Sequence, residues 1–225
     1  MQPSLVTLTL GVALRNDILP LLLEYLPEEQ IAHRHLLEEF SLQDVVTRFS
    51  PAEGEPTVTV RWCDDQHLRL STSKIRTALQ HKLIELEAQG FDTILLFASS
   101  EFTGLHCSSA LLLESDRLLP PLIASIVDDH QVGILVSLED HLHTQSRKWR
   151  NLSKSPCFAI ASPWQASEGD LIDAALSLQE QGADVVMMDC IGYQPRHREF
   201  LQQLLGIPVL LSNVLLAKLA AELMV

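Results

Sequence analysis

The chain has 225 residues, of which 47% are hydrophobic and 20% charged. That is enough to bury the core of one large α/β unit or two small lobes, and too apolar for global disorder. Sixteen Lys+Arg against 29 Asp+Glu leave a net charge of −13, which excludes a general nucleic-acid binder, whose basic face must displace counterions, and speaks against adhesion to anionic lipid. Cys63, Cys107, Cys157 and Cys190 form no C-x-x-C pair and no zinc spacing. With no basic n-region at the start of the chain, they read as reduced thiols of a cytoplasmic protein. No uncharged apolar run approaches about 18 residues, so no membrane span is expected.

In chain order, residues 5–10 read as a strand ending at Gly11. A helix over 16–25 follows with Pro20 inside it, then a short strand at 31–35 and a helix at 42–49 capped by Ser41. A loop at 51–56 leads to a hairpin, 57–62 with 67–71. The helix from Ser73 to Gln89 has Ser73 as its N-cap candidate and Gly90 where a left-handed residue would end it. Strands at 92–97, 132–136, 157–161, 185–189 and 208–211 then alternate with helices. Ser115 caps a helix to about 129; others cover 139–150, 167–181 stopped by Gly182, 195–205 with Pro195 first, and a last one capped by Asn213 and running to 224. This alternation predicts parallel sheets covered on both faces.

The chain also repeats itself. Glu87-Ala-Gln-Gly-Phe-Asp-Thr-Ile-Leu-Leu-Phe-Ala98 aligns without a gap on Gln179-Glu-Gln-Gly-Ala-Asp-Val-Val-Met-Met-Asp-Cys190. Residues 5–10 match 132–136, and 111–115 with the following helix match 209–213 with theirs. The expected fold class is therefore α/β: two pseudo-symmetric parallel-sheet lobes with a cleft between them. The first lobe would be residues 1–116 plus 212–225, with an insertion near 30–71; the second would be 117–211. In open α/β sheets ligands bind beyond the carboxyl ends of strands. The candidate lining is therefore Gly11, Ala98, Ser99, Ser100, Ser137, Ile191, Gly192, Ser212 and Asn213.

Cys190 is the sharpest chemical candidate. It follows an apolar strand and precedes a Gly, a Tyr and a helix start whose dipole favours a thiolate. The competing reading is a buried core cysteine, the commonest fate of an unpaired Cys. Its repeat partner is Ala98, beside Ser99 and Ser100, whose hydroxyls and amides suit a carboxylate or oxyanion; Ser212 and Asn213 read equally as helix caps. Cys107 could fold toward the same place, but no pattern requires it. His141 and His143, two apart on a predicted helix, point to different faces and make a poor metal pair. Arg196-His-Arg198 at a helix start either binds an anion or is solvated. No dinucleotide, P-loop, zinc-protease or nucleophile-elbow motif is present. The last helix carries only Lys218 and Glu222 as charges between 214 and 224, so it is either buried or half of a homodimer contact.

The chain resembles the aspartate/glutamate racemase superfamily, and within it the AroM family. The likeness is carried by Gly182-Ala-Asp-Val-Val-Met-Met-Asp-Cys190, Gly90-Phe-Asp-Thr-Ile-Leu-Leu-Phe-Ala-Ser99, Gln131-Val-Gly-Ile-Leu-Val136 and Ile207-Pro-Val-Leu-Leu-Ser-Asn-Val-Leu-Leu-Ala-Lys-Leu-Ala-Ala221. It implies two like-facing lobes, no cofactor, no metal and a small carboxylate or amino-acid-like ligand. Racemases of that superfamily use two cysteines, one on each face of the substrate's α-carbon. Here Ala98 or Ser99 stands at the first position and Cys190 at the second. What remains resembles the one-cysteine branch, in which a hydroxyl-rich pocket holds an enediolate and one thiol protonates it. The resemblance thus implies a racemase-, isomerase- or decarboxylase-type enzyme. The alternative is a non-catalytic carboxylate-binding or regulatory protein on the same fold.

Overall fold

The computed structural model describes residues 4–12, 19–63, 66–98, 102–165 and 167–224. The chain divides into two compact units, Met1–Asn16 with Leu22–Ser115 and Leu219–Val225, and Asp17–Leu21 with Asp116–Lys218.

The sheet of the first unit holds β1 (Leu5–Thr9), β2 (Ile31–His35), β5 (Thr93–Phe97) and β6 (Leu111–Glu114), all parallel, in the order β2-β1-β5-β6. That of the second holds β7 (Val132–Val136), β8 (Cys157–Ile160), β9 (Val185–Met188) and β10 (Val209–Leu211), also parallel, in the order β8-β7-β9-β10. Position for position these are the same sheet. The duplication read from the sequence holds in its hydrogen bonds: Asp92 N–H donates to the Ser4 carbonyl and Asp184 N–H to the Gln131 carbonyl, both at 3.0 Å.

The helices before the repeated strands, α3 (Thr72–Ala88) and α6 (Glu168–Glu180), end alike. Gly90 and Gly182 adopt φ of 90° and 84°, the left-handed conformation that costs glycine nothing. The next amides, of Phe91 and Ala183, then bond back to the carbonyls of Leu86 and Leu178. In one place the register departs from the sequence reading. Ile94 pairs with Leu112 and Val186 with Val209, so Leu112 is the counterpart of Val209 and Ser115 of Ser212. The match of 111–115 to 209–213 is one residue out, because runs of leucine give no internal mark of register.

The two units differ in what joins the strands. In the first, 36–71 add α2 (Leu42–Phe49), with its Ser41–Asp44 capping box, and the antiparallel hairpin of β3 (Thr57–Cys63) and β4 (Gln66–Ser71). A Cβ on Gly11 would run into the Arg61 carbonyl, so glycine lets the hairpin backbone close against the end of β1. Gly11→Ala is expected to cost about 1–3 kcal/mol through overpacking, read as a lower urea midpoint; an unchanged midpoint would mean that the hairpin is not docked there.

β4 feeds straight into α3. Ser71, not Ser73, is therefore the cap, its Oγ accepting from Lys74 N–H at 3.3 Å. Ser73 donates instead to Glu55, as Ser71 does, and these bonds hold the Glu55 carboxyl at about 2. A depressed carboxyl contributes stability above its ordinary pKa of 4.5 and loses it as pH falls toward about 2. Glu55→Gln should flatten the acid limb of a melting-temperature profile in that window and leave the slope above pH 5 unchanged.

The cores follow from the sheets. Val6, Leu8, Ile94 and Leu96 face Ile75, Leu79, Leu83 and Leu86 of α3, with Val58, Val60 and Leu70 of the hairpin in the same cluster. In the second unit Leu135, Val186 and Met188 join Leu171, Ala175 and Leu178 of α6 and Leu201 of α7 (Pro195–Leu205). Each fully buried aliphatic side chain contributes about 1.5–3 kcal/mol.

Several helices are shorter than their patterns. The helix expected over 16–25 is α1 (Leu19–Leu23), residues 13–18 lying outside those described. That expected over 139–150 is a 3-10 turn, Glu139–His141, followed by α5 (Leu142–Lys148). The others are α4 (Ser115–Val127) and α8 (Ser212–Glu222). In α8 Val214, Leu216, Ala217 and Ala220 are buried. Among the described residues no helix is long and apolar enough to cross a membrane.

Candidate functional site

The sequence candidates of the second unit gather at the carboxyl edge of its sheet. β7 and β9 are the central strands, and Asp189 N–H continues their ladder to the Leu135 carbonyl at 3.0 Å. Beyond it the chain turns: Tyr193 N–H donates to the Cys190 carbonyl at 3.3 Å, with Ile191 and Gly192 at the corner. The amides of Ile191 and Gly192 meet no acceptor among the described residues. Gly192 is required by contact, since a Cβ there would overlap the ring of Trp164.

Alternation along β9 puts Val186, Met188 and Cys190 on the face that packs against α6 and α7, and Cys190 is 6% exposed within that cluster. Cys190 is thus both at a strand end and packed in apolar surroundings. Tyr193, fully buried, donates from its hydroxyl to the Ala161 carbonyl at 2.6 Å. Burial, then the charges of Cys190 and Asp189, push that hydroxyl well above its ordinary range, so it remains a neutral donor. His197 in the first turn of α7 accepts the Gln194 N–H at Nδ1, 3.0 Å; burial, and then Arg196, lower its pKa.

Asn213 does not cap α8. It lies inside the helix's first turn, and its Nδ2 donates to the carbonyls of Ile191 (3.0 Å) and Tyr193 (2.7 Å) while Oδ1 accepts from Val214 N–H (2.8 Å). Its amide is spent on fixing the turn. Ser212 opens the helix and is buried. Ser137, buried at the end of β7, lies 3.4 Å from His141 Nδ1.

On the other face of β9 is a cluster that the sequence reading missed. Asp189, directly before Cys190, holds Lys148 Nζ at 2.8 Å, and Lys148 also holds Asp116 at 2.7 Å. The Lys148 side chain is 4% exposed. Burial alone would lower its pKa; Asp189 and Asp116 together carry it above the ordinary value. Trp149 Nε1 donates both to Asp189 Oδ2 (3.0 Å) and to Gln145 Oε1 (2.9 Å). The signal available was Asp189 itself, a carboxylate at the end of a buried run that needs a cation; Lys148 lies near the end of the helix expected over 139–150, which marks no partner for it.

In the first unit Ala98 follows β5, half-buried, and its carbonyl accepts from Ser115 Oγ at 3.4 Å. Gly11 lies against the hairpin, and Thr9 Oγ1 donates to its carbonyl at 3.4 Å. Ser99 and Ser100 lie outside the described residues. Cys107 packs on the core of the unit, its loop tied to α3 by the Gln80–His106 pair and by Glu87, which accepts from Ser109 and Ala110 N–H. Cys107, Cys157 and Cys190 carry no disulfide. No cluster of three or more His, Cys, Asp or Glu that could hold a metal occurs among the described residues. A cavity of about 500 Å³ opens beside Gln202, Gly206 and Pro208, at the opposite, amino-terminal end of β10.

The two parallel four-stranded sheets share one strand order, and this duplicated α/β fold is one that racemases and a decarboxylase of known structure also have. The chain belongs to the AroM family, whose model matches residues 5–224. An allantoin racemase from Pseudomonas fluorescens is similar in structure at a TM-score of 0.60 and 13% identity, over 97% of this chain and 89% of that one. A glutamate racemase from Bacillus anthracis matches at 0.60 and 12%, over 98% and 80%. An arylmalonate decarboxylase matches at 0.55 and 14%, over 97% and 90%. No protein of curated function matches the chain by sequence.

Proposed function

We propose that the protein is an enzyme that acts without a bound cofactor on a small carboxylate, and that Cys190 moves the proton. The observation that carries this is the turn after β9. Cys190 follows a central strand at its carboxyl end, beside two amides that meet no acceptor among the described residues, with the backbone held by Asn213. Amide donors aimed at an anion stabilise charge that develops on a carboxylate oxygen as the α-carbon becomes a carbanion. A thiol delivers its proton to that carbon and is left as the thiolate; the reverse step breaks a C–H bond and restores the thiol. The residue that the sequence repeat pairs with Cys190 is Ala98, which carries no thiol, so the proposed chemistry runs through one thiol.

A second reading, a carboxylate-binding or regulatory protein, is favoured by the burial of Cys190 among apolar groups. The two separate in D₂O with glutamate, allantoin and a 2-arylmalonate, the substrates named for the structural relatives. The enzyme reading predicts solvent deuterium at the carbon beside the carbonyl in at least one of them or in its decarboxylation product, and none with Cys190→Ala. Uptake that persists without Cys190 contradicts it, and calorimetric binding without uptake supports the binding reading.

A further inference from the structure

We propose that Lys148 is a positioning residue for Cys190: through Asp189 it fixes the strand end from which the thiol projects and balances the carboxylate charge one residue before it. The inference rests on the reading of Cys190 as the reacting thiol. Asp189 and Cys190 are consecutive, so holding one side chain fixes the backbone of the other. Asp189 is held from two directions, by Lys148 Nζ at 2.8 Å and Trp149 Nε1 at 3.0 Å; Asp189 and Trp149 are buried and the Lys148 side chain is 4% exposed.

The placement is not required for packing. An apolar residue at the end of α5 would fill the same volume without taking three charged groups out of water. The charge has an electrostatic effect at Cys190. A bare carboxylate one residue away would oppose a thiolate, as it opposes ionisation of Tyr193, and Lys148 cancels it. The other titratable groups of this end of the unit are Asp116 on Lys148, Tyr193 and His197 after the turn, and His141 on Ser137. Among these described groups Lys148 and its two carboxylates form the charged cluster, with side chains 4%, 11% and 5% exposed.

The test is the pH profile of Cys190 alkylation by iodoacetamide, read by mass spectrometry on the folded full-length protein. Asp189→Asn keeps an acceptor for Trp149 and removes the negative charge. It should lower the midpoint by about one pH unit, a tenfold gain in thiolate below the midpoint, as expected for removing one unit charge from the preceding residue. Lys148→Met should raise the midpoint by a similar amount, and Lys148→Arg should restore it. If Lys148→Met does not fold, Asp189→Asn and Lys148→Arg still decide the matter. A reactive Cys190 with one midpoint in wild type and Asp189→Asn overturns the inference and leaves the reading of Cys190 standing. A wild-type Cys190 that is inert at every pH overturns that reading and the inference with it.

Discussion

Lys148→Met is expected to lower the stability of the protein by about 3–5 kcal/mol, the usual cost of removing one partner from a buried ion pair. It would strand the Asp116 and Asp189 carboxylates, now 2.7 and 2.8 Å from Nζ, in a site where their side chains are only 11% and 5% exposed. Urea denaturation checks it. Adding Asp116→Asn and Asp189→Asn to the Met variant should recover part of the loss, because what costs most is the unpaired charge. The pH dependence has a definite sign. Lys148 holds its proton more tightly folded than unfolded, so its contribution is complete below its ordinary pKa of 10.5 and fades only as pH rises above that. A loss below about 1 kcal/mol would mean that water already reaches the cluster.

The largest effect on activity should come from Cys190→Ala, a loss of about 10²–10⁴-fold in turnover, the contribution of a well-placed general acid or base. Removing one sulfur should cost no more than about 1–2 kcal/mol even from a buried position. Loss of turnover with retained melting temperature is therefore the expected pair of results. A sharp fall in melting temperature with carboxylate binding untouched would make Cys190 a core residue.

Much of the fold was legible because β-strand runs, glycine stops and the Gln-Gly-x-Asp repeat are local signals. Gly90 and Gly182 end their helices as the pattern requires, and the repeated segments occupy equivalent strands. The register of β6 was not legible, since Leu111-Leu-Leu113 presents the same side chain at every position. The cap of α3 was misplaced by two residues because the sequence does not announce that β4 passes into the helix without a loop.

Of the candidate site, the turn at Cys190 could be read from its strand and its glycine. The role of Asn213 could not, because its partners are the carbonyls of Ile191 and Tyr193, some twenty residues away. Nor could the Lys148–Asp189 contact, which joins a short helix to a strand end 41 residues later. Ion pairs of that kind are set by tertiary packing and leave no period in the sequence.

The most direct test of the account is competitive alkylation of the native protein at neutral pH, with each cysteine followed separately. Cys157, whose thiol burial pushes up, and Cys107, packed on the first core, serve as internal references. Cys190 should be modified ahead of both, and a saturating small carboxylate that the protein accepts should slow its modification without affecting theirs. Modification of Cys190 no faster than theirs, or not slowed by any bound carboxylate, would contradict the claim that this thiol is the reacting group.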